Sequence, residues 1–394
     1  MPVNYGYTEN GVTYLFDDVF VPADAFRQGN LWAWGWHGYG QLGNNTTFSR
    51  STPLTTFAGG TNWKQVAGGG RFSAAIKTDG TLWTWGQNFL GELGNNQTTR
   101  VCTPITTFAG GTNWKQVSCG YFFAAAIKTD GTLWTWGYNA YGQLGNNQAG
   151  FFSICTPITT FAGGTNWKQV SCGYNCCAAI KTDGTLWTWG GNADGRLGDN
   201  TTTNRLTPVT TFAGGTNWKQ VSGISGTQAA IKTDGTLWTW GYNGSGELGV
   251  NDNTPLQRST PVTTFAGGTN WKQVSCGDSR ILAIKTDGTL WTWGNPGSGL
   301  LGNNNISNFQ YTPITTFAGG TNWKQVSVGR NNSSAIKTDG TLWVWGYNND
   351  GGVGDNTAIS RSTPVTTFAG GTNWKQVSAG AGHVLAITYI DDYV

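Results

Sequence analysis

The fold is decided by the stretch Gly111-Thr112-Asn113-Trp114-Lys115-Gln116-Val117 and, shortly after it, Ala126-Ile127-Lys128-Thr129-Asp130-Gly131-Thr132-Leu133-Trp134-Thr135-Trp136-Gly137. Both stretches recur almost unchanged along the chain. The tryptophan of the Asn-Trp-Lys step falls at Trp63, Trp114, Trp167, Trp218, Trp271, Trp323 and Trp374, at intervals of 51 to 53 residues. A fixed period of this kind marks an array of one supersecondary unit. We therefore expect one repeat body rather than the two or three domains that 394 residues would otherwise suggest.

Each unit predicts four β-strands. In one copy these are Trp114 to Ser118, roughly Phe123 to Lys128, Leu133 to Trp136, and Pro157 to Phe161. An Asp-Gly step between the second and third strands predicts a two-residue type I′ hairpin, since glycine tolerates positive φ. The two tryptophans of each Trp-x-Trp step point to the same face of the sheet. Because one unit cannot bury so many indoles alone, we expect them between neighbouring units.

The two ends of the repeat region are complementary halves of one unit. The repeats begin at Asn30-Leu31-Trp32, which is the second half of a unit, and end with Trp374 to Thr388, which is the first half. This offset has no stabilising effect in a linear solenoid. In a closed ring, it lets both ends of the repeat region contribute strands to one sheet, which holds the ring closed. The sequence therefore predicts an all-β, seven-bladed β-propeller of four-stranded blades, closed by N- and C-terminal strands that share one blade.

A family resemblance follows from the repeat motif. Trp-Gly-Tyr-Asn-Ala-Tyr-Gly-Gln-Leu-Gly, residues 136–145, preceded by Ile-Lys-Thr-Asp-Gly, closely resembles the regulator-of-chromosome-condensation repeat. The resemblance extends over residues 30–388 and implies a seven-bladed propeller with blades of this length. The family's Gly-x-x-His at strand two is present at Gly380 to His383. In other copies we assign that position to Ser73, Phe123 and Cys176.

Residues 1–28 do not belong to the repeat, so we divide the chain into this terminal segment and a propeller of residues 29–394. The segment has a net charge near −3, with Glu9, Asp17, Asp18 and Asp24 against Arg27. It could lie on its own propeller or anchor the propeller in a larger assembly. The N-terminus has no basic region followed by an apolar core, so we expect a soluble protein made in the cytoplasm without a signal peptide. With no run of about 20 apolar residues, we expect no membrane insertion.

Composition and motifs favour a protein without catalytic chemistry. The formal charge of +3 does not suggest nucleic-acid binding. The seven cysteines replace small or apolar residues of other copies, which predicts free thiols and no metal site. The two histidines have no nucleophile motif beside them. Glycine patterns such as Gly38 to Gly43 open no helix of a βαβ unit, so we expect no cofactor and no enzymatic activity.

Differences between the copies are confined to two stretches, the turn between strands one and two and the loop between strands three and four. In an up-and-down blade both lie at the same end, so one end of the ring varies while the other stays constant. Loops on a rigid scaffold can diversify for recognition; recent duplication with conserved turn chemistry is the alternative. Aromatic and arginine side chains suit a protein or glycan ligand. Near the central mouth we predict contacts from Arg71, Phe72, Tyr121, Phe122, Asp278, Arg280, Arg330 and His383, and further out from Trp36, His37, Tyr39, Phe89, Tyr138, Tyr141 and Tyr347.

Three functions remain open at this point. The distinct terminal segment and near-identical repeats are similar to repeat proteins carried by bacteriophages, which implies a virion-associated protein that presents its variable face to a host surface. The regulator-of-chromosome-condensation resemblance implies guanine-nucleotide exchange on a small GTPase or another role as a regulatory scaffold that acts on one. For exchange, the uniform repeat length leaves no room for the β-wedge that is inserted in that family. A structural disc in a particle is the third.

Overall fold

The computed structural model describes residues 6–9, 12–15, 29–150 and 152–389. Within the terminal segment, β1 (Gly6–Glu9) pairs antiparallel with β2 (Val12–Leu15). The predicted role of residues 1–28 as an anchor otherwise lies outside the described residues.

The remaining strands form seven four-stranded antiparallel sheets, which we number as blades in ring order. Blade 1 combines β3 (Leu31–Gly35) and β4 (Arg50–Thr55) with β29 (Trp374–Ala379) and β30 (His383–Thr388). Blades 2 to 4 each consist of four consecutive strands: in blade 2, β5 (Trp63–Gly68), β6 (Phe72–Lys77), β7 (Leu82–Gly86) and β8 (Val101–Thr106); in blade 3, β9 (Trp114–Cys119), β10 (Phe123–Lys128), β11 (Leu133–Tyr138) and β12 (Ser153–Thr159); in blade 4, β13 (Trp167–Cys172), β14 (Cys176–Lys181), β15 (Leu186–Gly190) and β16 (Arg205–Thr210). Blades 5 to 7 are built in the same way: in blade 5, β17 (Trp218–Gly223), β18 (Thr227–Lys232), β19 (Leu237–Tyr242) and β20 (Gln257–Thr263); in blade 6, β21 (Trp271–Cys276), β22 (Arg280–Lys285), β23 (Leu290–Gly294) and β24 (Gln310–Thr315); in blade 7, β25 (Trp323–Val328), β26 (Asn332–Lys337), β27 (Leu342–Gly346) and β28 (Arg361–Thr366).

The predicted closure is confirmed. In blade 1 the strand order is β29-β30-β3-β4, so the inner pair comes from the C-terminal end of the repeats and the outer pair from the N-terminal end. Leu31 lies opposite Ile387 and Gly35 opposite His383. Opening the ring therefore requires breaking a continuous β-ladder.

The hairpin between strands two and three differs from the predicted type. In blade 3 the backbone N–H of Gly131 donates to Lys128 O at 3.0 Å, and that of Lys128 donates to Thr132 O at 3.0 Å. Gly131 has φ +80°, whereas Asp130 is not among the residues with positive φ. This pattern is a three-residue loop with a glycine bulge, not a type I′ turn. The Asp130 carboxylate accepts from the N–H and hydroxyl of Thr132, which replaces the second hairpin hydrogen bond.

The up-and-down strand order of all seven blades confirms that the variable segments lie at one end of the ring, and hydrogen bonds between loops agree with it. The N–H of Trp36, where the strand three–four loop begins, donates to Gly382 O in the strand one–two turn of the same blade. At the other end, Trp114 N–H donates to Gly80 O, which joins an interblade return to the hairpin of the preceding blade. We call the first end the variable face and the second the constant face.

The core lies between blades, as predicted from the tryptophans. Trp114 and Trp136 of blade 3 are buried against Phe72, Ala74 and Ile76 of blade 2. The second indole of every Trp-x-Trp step donates its N–H to a loop carbonyl of the preceding blade at 2.8–3.1 Å. Each variable loop is thereby fixed to the neighbouring blade at its base.

Candidate binding face

An aromatic group lies beside the central mouth on the variable face. The rings of Tyr121 and Tyr174, from the strand one–two turns of blades 3 and 4, have centroids 4.4 Å apart. Phe122 packs edge-on against Tyr121 at 4.6 Å and lies 6.3 Å from Tyr138. The Tyr121 N–H donates to Gly173 O at 3.2 Å, so neighbouring turns are hydrogen-bonded around the mouth. A Cβ on Gly120 would approach Gly173 O to 2.6 Å, which requires glycine there.

A charged pair lies on the other side of the mouth. Arg330 Nε of blade 7 is 3.3 Å from Asp278 Oδ2 of blade 6, and both side chains remain open to solvent. The two residues line the same cavity as Tyr121 and Tyr174. Burial, followed by the neighbouring Tyr121, raises the pKa of Tyr174 above its usual value. The mouth is therefore aromatic on one side and charged on the other.

A second aromatic group lies further out on blades 1 and 2. The ring of Tyr39 lies edge-on to Trp36 at 5.5 Å and to Phe89 at 6.0 Å. The guanidinium of Arg71 lies 4.9 Å from the Tyr39 ring and 5.8 Å from the Trp36 ring, a cation–π arrangement, and its Nη1 donates to Tyr39 Oη at 3.0 Å. Phe89 is 57% exposed. Tyr141 and Tyr347 stand in the corresponding loops of blades 3 and 7.

An open depression with a volume of about 200 Å³ lies between the two aromatic groups. Its wall includes Trp36, Arg71, Tyr121, Arg330 and Asp350. The structure thus brings together residues that are far apart in sequence, from blades 1, 2, 3 and 7.

Four residues predicted to contact a ligand are instead buried in the interior. His37, Phe72, Arg280 and His383 each have no exposed surface. Their predicted direct contact with a ligand is therefore wrong. Three of them, Phe72, Arg280 and His383, share one position, the first residue of strand two, which lies opposite the glycine that ends strand three. The register also corrects the assignment of Ser73 to the family's histidine position, because Phe72 occupies it.

The buried residues hold blades together. Arg280 donates to Ser333 Oγ at 3.0 Å, Arg330 O at 3.1 Å and Asn332 O at 2.8 Å, all in blade 7. Burial lowers the pKa of this guanidinium to about 9. His383 Nε2 is 2.9 Å from Ser73 Oγ across the joint between blades 1 and 2, and burial lowers its pKa to about 3. His383 is therefore neutral in the folded protein.

His37 stabilises the strand three–four loop of blade 1 through two hydrogen bonds within that loop. Leu42 N–H donates to His37 Nδ1 at 2.9 Å, so Nε2 carries the proton and donates to Asn44 Oδ1 at 2.7 Å. In other blades an asparagine performs the same task; for example, Asn88 accepts from Leu93 N–H and donates to Asn95. Desolvation lowers the pKa of His37. This histidine is a loop-fastening residue.

Sequence reasoning did not place Tyr174, Asn331 and Asp350 among the contact residues. Tyr174 follows Gly173 as Tyr121 follows Gly120, so the equivalence of turns could have identified it. Asp350 lies in the strand three–four loop of blade 7 and reaches the depression only because blades 7 and 1 are adjacent in the closed ring.

The described part of the chain contains neither a candidate metal site nor a candidate membrane-spanning helix. No three histidine, cysteine or acidic side chains converge there as a metal site would require. Among the same residues, no helix is long and apolar enough to cross a bilayer.

Comparisons with known proteins agree with this geometry. A family model described as "RCC1-like domain" matches residues 25–316, and models of the regulator of chromosome condensation (RCC1) repeat match residues 323–351 and 339–387. The chain is 29% identical over 328 residues to the ultraviolet-B receptor UVR8 of Arabidopsis thaliana, a match that covers 82% of this chain and 74% of that relative.

Two solved structures have the same fold. Human WBSCR16 superposes with a TM-score of 0.79 at 20% identity over 93% of this chain and 100% of that chain. Prp20p of Saccharomyces cerevisiae, whose structure was described together with its binding properties to Gsp1p and histones, superposes with a TM-score of 0.80 at 18% identity over 93% of each chain. At these identities the likeness concerns the fold alone.

Proposed function

The chain belongs to the RCC1-like domain family, and we propose that it is a non-enzymatic binding protein that holds a protein ligand on its variable face. Prp20p, a propeller of the same fold, binds Gsp1p and histones, which supports binding of a protein partner as the general role. Which protein this chain binds is determined by the residues of its own variable loops.

The observation that carries the proposal is the aromatic and arginine surface across blades 1 to 4, whose side chains are half-buried or, as at Phe89, exposed. These side chains are not required by the fold, because blades of the same geometry have Gly70 and Ser225 where blades 3 and 4 have Tyr121 and Tyr174. Tyrosine, tryptophan and arginine are the residues most enriched at energetically dominant interface positions. The rigid, hydrogen-bonded turns hold these rings in place before a ligand arrives, which lowers the entropy cost of binding.

A protein ligand fits this surface better than a glycan. The aromatic rings pack edge-on against one another, as in Tyr39 with Trp36 and Phe89, and form a continuous apolar surface rather than separate stacking platforms. The Arg330–Asp278 pair provides charged groups at the margin, as the polar rim of a protein interface does. A protein partner is therefore part of the proposal, and a glycan is an outcome of its test.

Placement on a virus particle receives no support from the relatives described above, which are proteins of a plant, of yeast and of human. The anchoring role of residues 1–28, with residues 29–394 as an independent propeller, stays part of the proposal. The second function, nucleotide exchange on a small GTPase, is favoured by the family alone. Each of the seven blades has four strands, and within residues 29–150 and 152–389 no additional strand pair is inserted between blade strands as a wedge.

The experiment compares proteins retained from native extracts by the wild-type protein and by a Tyr121→Ala/Tyr174→Ala variant, followed by titration of the purified partner. We expect the double substitution to weaken binding by about 30- to 1,000-fold, since two hot-spot residues that each contribute about 1–2 kcal/mol together contribute about 2–4 kcal/mol. Phe108→Ser on the constant face is the matched control and should leave affinity unchanged. Partner binding that survives the double substitution contradicts the proposal, and so does binding of glycans without proteins. Accelerated nucleotide release from a GTPase would favour the second function.

A further inference from the structure

All thirteen lysines of the protein belong to the constant half of the repeat. Seven follow the tryptophan that begins the innermost strand of each blade, one residue from its constant end: Lys64, Lys115, Lys168, Lys219, Lys272, Lys324 and Lys375. Six of these seven are exposed, and Lys375 is half-buried. Because the innermost strands surround the central channel, this set forms a ring of ammonium groups around its constant-face opening.

The other six lysines end strand two in blades 2 to 7: Lys77, Lys128, Lys181, Lys232, Lys285 and Lys337. Each ammonium lies between two indole rings; for example, Lys128 Nζ is 4.7 Å from the Trp114 ring and 4.4 Å from the Trp134 ring. The acidic groups of the same turns are six aspartates, such as Asp130, whose carboxylate is used by Thr132. Thirteen lysines against six aspartates give these positions a net charge of +7.

The charge of the whole chain, +3, conceals this asymmetry. The arginines and remaining acidic residues of the loops nearly balance one another on the variable face. The acidic residues of sequence segments 1–28 and 390–394 account for the difference between +7 and +3, and blade 1 carries one of the thirteen lysines. The positive field is therefore concentrated on blades 2 to 7.

Exposed phenylalanines accompany the lysines at the same end. One stands in each interblade return: Phe57, Phe108, Phe161, Phe212, Phe265, Phe317 and Phe368, each 65–68% exposed. Each follows the outermost strand at the first corner of a turn, as shown by the N–H of Gly110 donating to Thr107 O. A side chain exposed to this extent contributes little to folding, yet all seven copies keep it. Seven repeated apolar side chains at one end of a molecule indicate a surface that another body covers.

We propose that the constant face docks on an anionic lipid bilayer, with the lysines against the headgroups and the phenylalanine rings at the interface. Lysine beside exposed aromatic residues is the composition of interfacial membrane-binding surfaces, and each lysine near an anionic leaflet adds to the attraction. Sevenfold repetition presents the same contact in every direction around the ring axis, which suits a flat, featureless partner.

Other occupants fit less well. A second copy of this face would bring two sets of +7 together. Protein interfaces are depleted in lysine and enriched in arginine, whereas this face has thirteen lysines and takes none of its charge from arginine. A nucleic-acid backbone would use the lysines and leave the phenylalanines without a role. Docking in this way leaves the variable face directed away from the membrane, and it does not depend on the function proposed above.

The test is sedimentation of the full-length protein with vesicles of phosphatidylcholine alone and of phosphatidylcholine mixed with phosphatidylserine at about two to one. We expect binding to the anionic vesicles only, weakened at least about tenfold between low salt and roughly 0.5 M salt. Lys115→Gln/Lys168→Gln should lower binding at least about tenfold, whereas Arg50→Gln/Arg100→Gln, which removes the same charge from exposed positions of the variable face, should not.

The apolar contribution has its own matched pair. Phe108→Ser/Phe161→Ser should also lower vesicle binding at least about tenfold, whereas Phe48→Ser, in a variable-face loop and 72% exposed, should leave it unchanged. Unchanged thermal melting of each variant establishes that the fold is retained. Absence of vesicle binding, equal binding to both compositions, or equal loss in the control variants would overturn the proposal. Binding of a duplex DNA probe through Lys115 and Lys168 without vesicle binding would overturn it too, and would assign the lysines to nucleic acid.

Discussion

Glu247 is a buried carboxyl group where blades 1 and 3 have Gln41 and Gln143. Its Oε2 accepts from Ser245 N–H at 2.9 Å, while Oε1 is buried without a partner. Desolvation raises its pKa to about 7. A carboxyl whose pKa is raised on folding destabilises the folded state as pH rises from its ordinary value near 4.5 to about 7, and the full cost persists above that range.

We therefore expect Glu247→Gln to increase the free energy of unfolding at pH 8.5 by about 1–3 kcal/mol and to change it little at pH 4.5. Urea denaturation of both proteins across this range measures the difference. Gln143→Ala serves as a control for side-chain removal at the same position in another blade. A gain that is independent of pH would show that ionisation of Glu247 is not its cause.

Arg280 and Arg330 separate structural from surface roles at neighbouring positions. Arg280→Ala should lower the free energy of unfolding by about 3 kcal/mol, because it leaves carbonyls of blade 7 without their buried donor. Arg330→Ala should change it by less than about 1 kcal/mol, since its pair with Asp278 is exposed. Chemical denaturation of both variants decides the matter, and equal losses would contradict this division of roles.

The sequence could not distinguish these two roles. A position that varies between copies looks the same whether it contacts a ligand or a neighbouring blade. Strand two gives no alternation of polar and apolar residues to resolve this, because it is buried on both faces, as in Phe72 to Ile76. Tyr121, Arg71 and Trp36 lie on the variable face because they belong to strand one–two turns and a strand three–four loop, which lie outside the buried strands.

At the scale of secondary structure, the bounds of the strands followed closely from the repeat. β10 has the predicted bounds, Phe123–Lys128. The Asp-Gly step marked the position of the hairpin but not its type, because the aspartate side chain rather than a backbone carbonyl takes the Thr132 N–H. The fourth strand, β12, begins earlier than predicted, at Ser153, since its pairing with β11 continues past the proline.

A glutamine ladder joins the innermost strands of neighbouring blades. Gln169 Nε2 donates to Val221 O at 2.9 Å, and Val221 N–H donates to Gln169 Oε1 at 3.1 Å. The amide side chain of Gln169 thus forms hydrogen bonds with both the N–H and the C=O of Val221, which lie on the side of the innermost strand that has no neighbouring strand in its own blade. Gln169→Leu should lower the free energy of unfolding by about 2–3 kcal/mol. Lys168→Gln, the adjacent exposed position, should cost less than about 0.5 kcal/mol in the same denaturation experiment; a comparable loss would refute the assigned role of the ladder.

At the scale of the whole molecule, closure makes the chain cooperative. Deleting residues 374–394 removes β29 and β30 and leaves β3 without a partner on one side. We expect the truncated protein to lose its single cooperative melting transition. Deleting residues 1–28 should preserve it, because the ring begins at residue 29. Differential scanning calorimetry compares the two, and a C-terminal truncation that melts like the full chain would show that the ring does not need its joint.

The whole ring also explains why the binding face could be predicted only in part. The repeat established that variable segments share an end, but neighbours across the mouth depend on the closed geometry. Asp350 and Trp36 meet in one depression because the last complete blade adjoins the shared one. The small net charge of the chain does not reveal that the lysines are concentrated on the constant face, because only the strand topology assigns each lysine to one face of the ring.

The most direct test of the central claim, that the variable face is the protein-binding end, is site-specific photo-crosslinking. A benzophenone amino acid is placed at Tyr121 in one protein and at Phe108, on the constant face, in another, and both are irradiated in detergent-cleared native extract. We expect discrete protein adducts from position 121 and none from position 108. Protein adducts from position 108 with none from position 121 would contradict this claim.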